Sequence, residues 1–277
     1  YRKYLPKDIR DKVGKYRFSI RQTCWYPPTL LRTLREPALR QMATRLAVMR
    51  AEFSGQRCFI MGNGPSLNQM DLSLLTGEHV WASNRAYLLF ERIAWRPDFY
   101  IAVDRRVVPD NAADLDHQAE TLPDTRFFYP SHFRFAEVLQ PRPNVFWFHE
   151  TWQNPGRLPD GMFSRNPSRH VRSVNTVTIA ALQLAVYFGF NPIYLIGCDT
   201  SYSIPASVRY EDEEGKLILS QQDDDPNHFL PNYFGVGKKW HDPNVEAMIF
   251  HYQQADQVCR QLGVKIYNAT VGGNLEV

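Results

Sequence analysis

The sequence predicts an α/β fold, in which a mostly parallel sheet is covered by helices on both faces. From Arg57 onward, short apolar runs typical of buried strands alternate with longer segments of helical periodicity. This alternation is typical of a parallel sheet, because a helix carries the chain back between successive parallel strands. We therefore interpret 55–277 as one Rossmann-like domain, preceded by a basic, helical N-terminal extension at 1–54.

The elements follow in chain order. The extension has helical spacing over Pro27–Phe53. Strands are predicted at 57–62, 79–83, 98–103, 126–129, 144–148, 192–197 and 264–268. Helices are predicted at about 66–75, 110–121, 132–139, 174–189 and 243–262.

Two long segments interrupt the alternation. Residues 149–172 are rich in Pro, Gly, Arg and Asn and lack periodicity, and residues 200–242 join a strand to a helix. Loops of this length in a compact domain are usually functional or disordered. The second segment contains three tyrosines and Trp240, which argues against disorder. We interpret residues 200–242 as a mobile lid.

Composition places the chain among ordinary globular proteins. Its 277 residues are 44% hydrophobic and 22% charged, with no apolar run long enough to span a membrane and no signal-peptide core. The four cysteines lack metal-ligand spacing, and Cys58 and Cys198 lie in strand-like runs where a small core residue is expected. These features favour a cytoplasmic protein.

The N-terminal extension is strongly basic. Residues 1–50 contain thirteen Lys or Arg and three Asp or Glu. Basic residues interleaved with aromatics in 1–25 fit peripheral contact with an anionic membrane, such as the inner face of the plasma membrane, or a solvated extension. No nucleic-acid-binding module accompanies the charge. The oligomeric state stays open, a homo-oligomer included.

A glycine-rich turn follows the first strand as Gly62-Asn63-Gly64-Pro65-Ser66. Glycines permit a sharp turn, and proline suits the first turn of a helix. Free N–H groups at a helix N-terminus bind anions, so the turn predicts a phosphate-bearing ligand such as a nucleotide. The spacing matches neither the NTPase loop nor the dinucleotide fingerprint, and an ordinary βα turn is the alternative.

Polar residues also follow the later strands or open the next helix. They are Asn84, Asn175, Thr176, Gly197 and Asp199. The carboxyl ends of parallel strands share one edge of the sheet, so we expect these residues to converge with Asn63 on a crevice. Amides and hydroxyls bind a base, ribose or sugar, although each residue alone is typical of a turn or cap.

The lid contains the ionisable candidates. His241 precedes the last predicted helix, and a neutral imidazole there could take a proton from a hydroxyl nucleophile. His228, Lys238 and Lys239 lie in the same segment. The run Asp223–Asp225 fits either a Mg²⁺ site or a solvated turn.

These residues resemble a known family. The stretches that carry the resemblance are Phe59–Leu67, Ser83–Arg85, Asn175–Asp199, Tyr233–Asn244 and Lys265–Gly273. They are similar to the domain of unknown function 115, the MptE-like family. It is related to the bacterial sialyltransferases of glycosyltransferase family 42.

The resemblance implies a GT-A-like nucleotide-sugar domain. The positions that match the CMP-binding residues are Gly62, Asn63, Gly64, Pro65, Ser66 and Asn84, with a looser match at Asn175 and Thr176. It also implies that His241 is the catalytic base. Tyr233 and Lys238 would then offset charge on the leaving phosphate.

Three functions follow as expectations. The first is an inverting glycosyltransferase of polysaccharide biosynthesis, which moves a sugar such as a nonulosonic acid from a CMP donor to a glycan or protein hydroxyl. It requires no cofactor and no metal. The second is a pyrophosphokinase that uses ATP on a pterin-like alcohol, with Mg²⁺ held by Asp104, Asp199 or Asp223–Asp225. The third is a non-catalytic nucleotide-sugar-binding module of a larger machine, with which the end at Val277 is compatible.

Overall fold

The computed structural model describes residues 37–151, 161–211, 217–241 and 243–277. Within these ranges the strands are β1 (Cys58–Met61), β2 (His79–Ser83), β3 (Phe99–Ile101), β4 (Arg126–Pro130), β5 (Val145–Phe148), β6 (Glu150–Thr151), β7 (Val171–Arg172), β8 (Ile193–Ile196), β9 (Arg209–Tyr210), β10 (Leu217–Leu219), β11 (Lys239–His241) and β12 (Ile266–Asn268). The α-helices are α1 (Pro37–Ala47), α2 (Val107–Asp110), α3 (Ala112–Thr121), α4 (Ser131–Phe135), α5 (Val177–Phe188) and α6 (Val245–Gln261).

Seven strands form one parallel sheet in the order β12-β8-β1-β2-β3-β4-β5. All seven strands predicted from the sequence are therefore confirmed as one sheet. The chain builds outward from β1 to β5 and then returns to place β8 on the other side of β1. The strand order thus reverses between β1 and β8, and ligands of open α/β sheets bind at such a point.

Each face of the sheet has its own apolar core. Trp81 and Phe99 face the core formed with α5 and α6, and the rings of these two residues stack 4.5 Å apart. Their neighbours Val80 and Tyr100 face the opposite core, formed with α2, α3 and α4. Strand side chains alternate between faces, so buried strands with two apolar faces read as continuous apolar runs. The predicted α/β fold with helices on both faces is confirmed.

The predicted helix at 66–75 is wrong. The segment contains two 3₁₀ turns, Pro65–Gln69 and Leu72–Leu75, separated by extended backbone at Met70. The Asp71 side chain accepts a hydrogen bond from the Ser73 N–H and so caps a new turn. Short polar side chains that bond nearby backbone compete with a continuous helix in this way.

The other predicted helices exist with altered ends. The segment at 110–121 corresponds to α3, which the short helix α2 precedes, and the segment at 132–139 shortens to α4. The last two predicted helices correspond to α5 and α6. Helix α5 is capped at its C-terminus by Gly189, which has a φ of 94°. A left-handed residue ends a helix at little cost when it is glycine.

Part of the predicted extension packs on the sheet. In and just after α1, the side chains of Met42, Leu46 and Met49 are buried in the two cores. Arg45 donates to the carbonyl oxygen of Val145, the first residue of β5, at 2.8 Å. The remaining predictions for the extension, including membrane contact through 1–25, lie outside the described residues. No helix of the described ranges is long and apolar enough to cross a membrane.

The two long segments contain small sheets. In 149–172, β6 pairs with β7 in parallel. In the lid, β9, β10 and β11 form an antiparallel sheet. Its Trp240 is buried, stacks on Phe234 with ring centroids 5.1 Å apart and donates to the Ser220 hydroxyl. The described part of the lid is thus a packed structure, and its mobility stays a prediction.

His170, just before β7, makes stability depend on pH. The pKa of His170 is lowered to about 4, mainly by burial and to a smaller extent by the charge of neighbouring Arg172. Histidine in the unfolded chain has a pKa of about 6.5. Between this pH and the lower pKa of the folded protein, the unfolded chain binds a proton that the folded protein does not bind. The contribution of His170 to the free energy of unfolding should therefore fall by about 1 kcal/mol per pH unit as the pH drops from 6.5 to 5. Urea denaturation at several pH values measures this slope.

The matched controls are two glutamine variants. His170→Gln should reduce the slope by about 1 kcal/mol per pH unit, whereas His117→Gln, at an exposed position on α3, should preserve it. An unchanged slope in His170→Gln would assign the pH dependence to other groups.

Candidate functional site

A cavity of about 850 Å³ lies at the carboxyl ends of the strands, between the β1–β8 switch point and the lid. This volume is within the range of ligand sites in proteins. Of the residues predicted to bind the nucleotide, the cavity is lined by Gly62, Asn63, Gly64, Asn84, Asn175, Thr176, Gly197 and Asp199. The tertiary structure therefore brings together polar residues from four separate parts of the chain.

The glycines of the first turn allow two loops to approach each other closely. A Cβ on Gly62 would lie 2.8 Å from the carbonyl carbon of Gly197, and one on Gly64 would lie 2.5 Å from Cγ of Asp199. Real Cβ contacts are not this short. The glycines are thus required by the packing of the β1 and β8 loops, whatever ligand binds there.

The turn lacks the α-helix on which the predicted anion site rested. Pro65 begins a 3₁₀ segment of five residues, so no α-helix aligns its dipole with the turn. The Ser66 N–H and hydroxyl both donate to the carboxylate of Asp199, at 3.2 and 2.8 Å. The protein's own carboxylate thus occupies donors that a phosphate would need. Pro65 and Ser66 themselves do not line the cavity.

Three buried oxygens in the cavity wall have no hydrogen-bond partner among the residues that the structure describes. They are Oδ1 of Asn63, Oδ1 of Asn84 and Oγ1 of Thr200. Asn63 is oriented by its amide nitrogen, which donates to the carbonyl and hydroxyl oxygens of Ser83. An unsatisfied buried polar group costs about 1–3 kcal/mol, so such groups in a cavity call for a ligand that donates hydrogen bonds.

Two of these residues also have strained backbones. Asn84 and Thr200 have φ values of 52° and 51°. The left-handed region is tolerated by asparagine but is a genuine outlier for a β-branched residue such as threonine. Strain of this kind clusters at binding sites. No sequence pattern identified Thr200, because φ cannot be read from residue types.

Thr176 and Asn175 lie at the start of α5. The Thr176 hydroxyl accepts a hydrogen bond from the Thr178 N–H at 3.3 Å and so caps the helix. Asn175 is exposed in the cavity wall. Of this pair, Asn175 is the side chain that is not used in capping.

The predicted catalytic residues of the lid lie in different environments. His241 ends β11, is exposed and lines the cavity. Tyr233 is buried behind the wall, where its hydroxyl accepts from the Arg85 N–H at 3.3 Å. Burial raises the pKa of Tyr233, which keeps its hydroxyl protonated. Lys238 donates to the Asp110 carbonyl oxygen at 2.6 Å. Contact of Tyr233 or Lys238 with a leaving phosphate would require the lid to rearrange.

A second imidazole of the lid, His228, also lines the cavity. Its Nδ1 lies 2.8 Å from Oδ2 of Asp225, and its ring stacks on Tyr233 with centroids 3.9 Å apart. The sequence placed His228 among the ionisable residues but did not distinguish it. The spacing of three residues between Asp225 and His228 was the available signal.

The aspartates considered for Mg²⁺ all accept hydrogen bonds from the protein. The donors are the N–H groups of Arg106 and Val107 for Asp104, Ser66 for Asp199, the Val236 N–H for Asp223, the Ser207 hydroxyl for Asp224, and His228 for Asp225. Among the described residues, no group of three or more His, Cys, Asp and Glu is arranged to hold a metal ion.

Glu150 lies at the far end of the cavity, after β5. Its side chain is 2% exposed, and its Oε1 accepts from the Ser173 hydroxyl at 2.5 Å. His132 Nδ1 and an Arg105 guanidinium nitrogen lie 3.5 and 3.7 Å from its Oε2. Burial lowers the pKa of His132 to about 4 and also lowers the pKa of His149. Sequence reasoning did not identify this cluster.

Comparison with known proteins decides the family. The family described as 6-hydroxymethylpterin diphosphokinase MptE-like matches residues 37–205, more than half of the chain. The chain belongs to the MptE-like family. This confirms the resemblance found in the sequence. No curated protein matches the chain.

Among solved structures, the MptE-like chain is similar to the MAf glycosyltransferase from Magnetospirillum magneticum AMB-1. The two are 16% identical, with a TM-score of 0.48 over 84% of this chain and 36% of the other. The chain therefore spans about a third of the length of that protein.

Proposed function

We propose that this MptE-like chain is an inverting, metal-independent glycosyltransferase that uses a nucleotide sugar. The donor is a CMP-linked nonulosonic acid such as sialic acid, and the acceptor is a hydroxyl of a glycan or protein, as in polysaccharide biosynthesis. The observation that carries this proposal is the cavity at the switch point, whose wall contains two imidazoles of the lid and three buried oxygens that have no hydrogen-bond partner among the described residues.

The wall matches the donor's chemistry. The free oxygens of Asn63, Asn84 and Thr200 can accept from ribose hydroxyls, from the amino group of cytosine or from sugar hydroxyls. Neutral acceptors recognise such groups without repelling the single phosphate of CMP. Asn175 can add a further amide from the start of α5.

The imidazoles supply the required proton transfer. A neutral imidazole in the lid takes the proton of the acceptor hydroxyl while its oxygen attacks the anomeric carbon from the side opposite to CMP. The bond from that carbon to the phosphate oxygen breaks, and CMP leaves with the electron pair. Attack from the opposite side inverts the anomeric centre. A leaving group with one phosphate does not need Mg²⁺ to bridge phosphates.

The family description favours a second candidate, transfer of diphosphate from ATP to a pterin-like alcohol. That reaction needs Mg²⁺ to bridge the phosphate oxygens. The aspartates available for it would first have to exchange their present hydrogen bonds, such as that between Asp199 and Ser66. This is the reason that we place sugar transfer first.

Ligand-dependent thermal unfolding tests the choice. CMP at 100 times its Kd should stabilise the native protein by about 2.7 kcal/mol, because the ligand binds only the folded state. Nucleosides with other bases serve as controls. Stabilisation by ATP with Mg²⁺ and none by CMP would favour the diphosphokinase. CMP binding without release of CMP from any CMP-sugar would favour a non-catalytic module.

A further inference from the structure

We infer that His228 is the base that removes the acceptor's proton, with Asp225 and Tyr233 as its positioning residues. The inference rests on the proposed sugar transfer and replaces the sequence prediction of His241 for this role. It follows from how the two lid imidazoles that line the cavity, His228 and His241, are held.

Asp225 selects the nitrogen of His228 that can act. The 2.8 Å contact between Nδ1 and the carboxylate places the proton of the neutral ring on Nδ1. The lone pair that can accept a proton is then on Nε2, as in other His–Asp pairs. Asp225 is itself held, since its Oδ1 accepts from the Asn227 N–H at 2.9 Å and its N–H donates to the Pro231 carbonyl oxygen at 2.9 Å.

Stacking defines the plane of the His228 ring. Tyr233 lies parallel to it, with an interplanar angle of 2°, and Phe234 contacts it edge-on at 5.0 Å. Tyr233 is in turn fixed by the Arg85 N–H, which donates to its hydroxyl. This explains why Tyr233 is buried behind the cavity: its ring supports the imidazole and its hydroxyl points to the end of β2.

The backbone beside His228 is hydrogen-bonded to the Gly62–Ser66 turn and to the segment that follows it. The Phe229 N–H donates to the Asn63 carbonyl oxygen at 3.0 Å, and the Asn68 amide donates to the Phe229 carbonyl oxygen at 2.9 Å. These bonds hold His228 close to the turn whose Asn63 side chain would bind the donor.

His241 lacks this support. Its side chain is exposed, and within the described parts of the chain it makes no hydrogen bond, ion pair or ring contact. An imidazole without an orienting partner adopts several rotamers and either tautomer. Effective proton transfer requires a fixed nitrogen within hydrogen-bond reach of the hydroxyl.

The reaction step balances with His228 as base. Nε2 gains the acceptor's proton, the acceptor oxygen forms the new bond to the anomeric carbon, and CMP leaves with the electrons of the broken bond. The imidazolium then loses its proton to water. The titratable groups that face the ring are Asp225, Tyr233 and, at 6.4 Å, Tyr202, and the Arg85 guanidinium lies 5.8 Å from the Tyr233 ring.

The test measures kcat for transfer and Kd for CMP in the full chain. His228→Asn should lower kcat by about 100-fold or more while the Kd for CMP changes less than about twofold. Asp225→Asn should lower kcat by about tenfold or more, because the ring loses its tautomer preference. His241→Asn should lower kcat less than His228→Asn does. The exposed His117→Asn, on α3, is the matched control and should retain full transfer.

Two further readouts separate catalysis from support. Free imidazole should restore part of the activity of His228→Ala, and the acidic limb of the pH–rate profile should disappear in His228→Asn but persist in His241→Asn. Loss of transfer in His241→Asn with near-normal His228→Asn would overturn the inference. A His228→Ala enzyme that binds CMP but is not rescued by imidazole would also overturn it. If the His228 variants fail to fold, an Asp225→Asn enzyme with wild-type kcat would overturn it. Wild-type protein that neither binds CMP nor transfers its sugar would instead reject the proposed function.

Discussion

Gly62→Ala should reduce the free energy of unfolding by about 3 kcal/mol, the upper end of the usual cost of overpacking. A Cβ on Gly62 would overlap the backbone carbonyl of Gly197, which cannot move independently of β8. The Gly62 N–H donates to the Ile196 carbonyl oxygen at 2.8 Å, so separating the loops would also weaken this bond. Urea denaturation followed by circular dichroism measures the loss.

Gly77→Ala is the control for Gly62→Ala. Gly77 has a φ of 82° and no atom within 4 Å of an added Cβ, so its substitution costs only backbone strain of about 1–2 kcal/mol. The excess loss in Gly62→Ala reports the clash between the β1 and β8 loops. Equal losses in the two variants would contradict the close approach.

Asn84→Gly should weaken binding of CMP by about 10- to 100-fold, which corresponds to about 1–3 kcal/mol for a lost hydrogen bond in a buried site. Glycine adopts a positive φ readily, so the backbone at this position is preserved while the amide is removed. The Asn84 side chain makes no hydrogen bond within the described protein, so little stability depends on it. Isothermal titration calorimetry measures the affinity.

Glu137→Gly is the matched control for Asn84→Gly. Glu137 also has a positive φ, 56°, but is exposed and does not line the cavity. Both variants introduce the same flexibility into the unfolded chain, so their stabilities should change alike while only Asn84→Gly loses affinity. Unchanged affinity in Asn84→Gly would remove this amide from the nucleotide site.

The fold was largely predictable because its signals are local. Runs such as Phe99–Ile101 and Ile193–Ile196 are apolar on both faces, which in a soluble chain indicates strands buried between two layers. The segment at 66–75 was mispredicted because its apolar spacing fits a helix, while Asp71 bonds to Ser73 and starts a new turn. The hydrophobic periodicity of a segment hardly reveals such competition between side-chain and backbone hydrogen bonds.

The sequence predicted which residues form the site better than it predicted what each of them does. Strand ends share one edge, so Asn63, Asn84 and Asp199 were expected together, and they line one cavity. Their different states were not predictable: the Asp199 carboxylate accepts hydrogen bonds from Ser66, whereas Oδ1 of Asn84 has no partner within the described parts of the chain. The positions of Lys238 on the Asp110 carbonyl and of Tyr233 behind the wall were likewise decided by packing.

The sequence by itself determined the parallel sheet, the family and the edge at which polar residues meet, because hydrophobic periodicity and motif order are properties of contiguous residues. Only the tertiary structure decided which polar atoms are available to a ligand. Ser66 reaches Asp199 across 133 residues, and such long-range pairs leave no trace in local spacing. The role proposed for His228 comes instead from near neighbours in the chain, the Asp225 carboxylate at its Nδ1 and the Tyr233 ring stacked on its face, which the folded lid brings into contact.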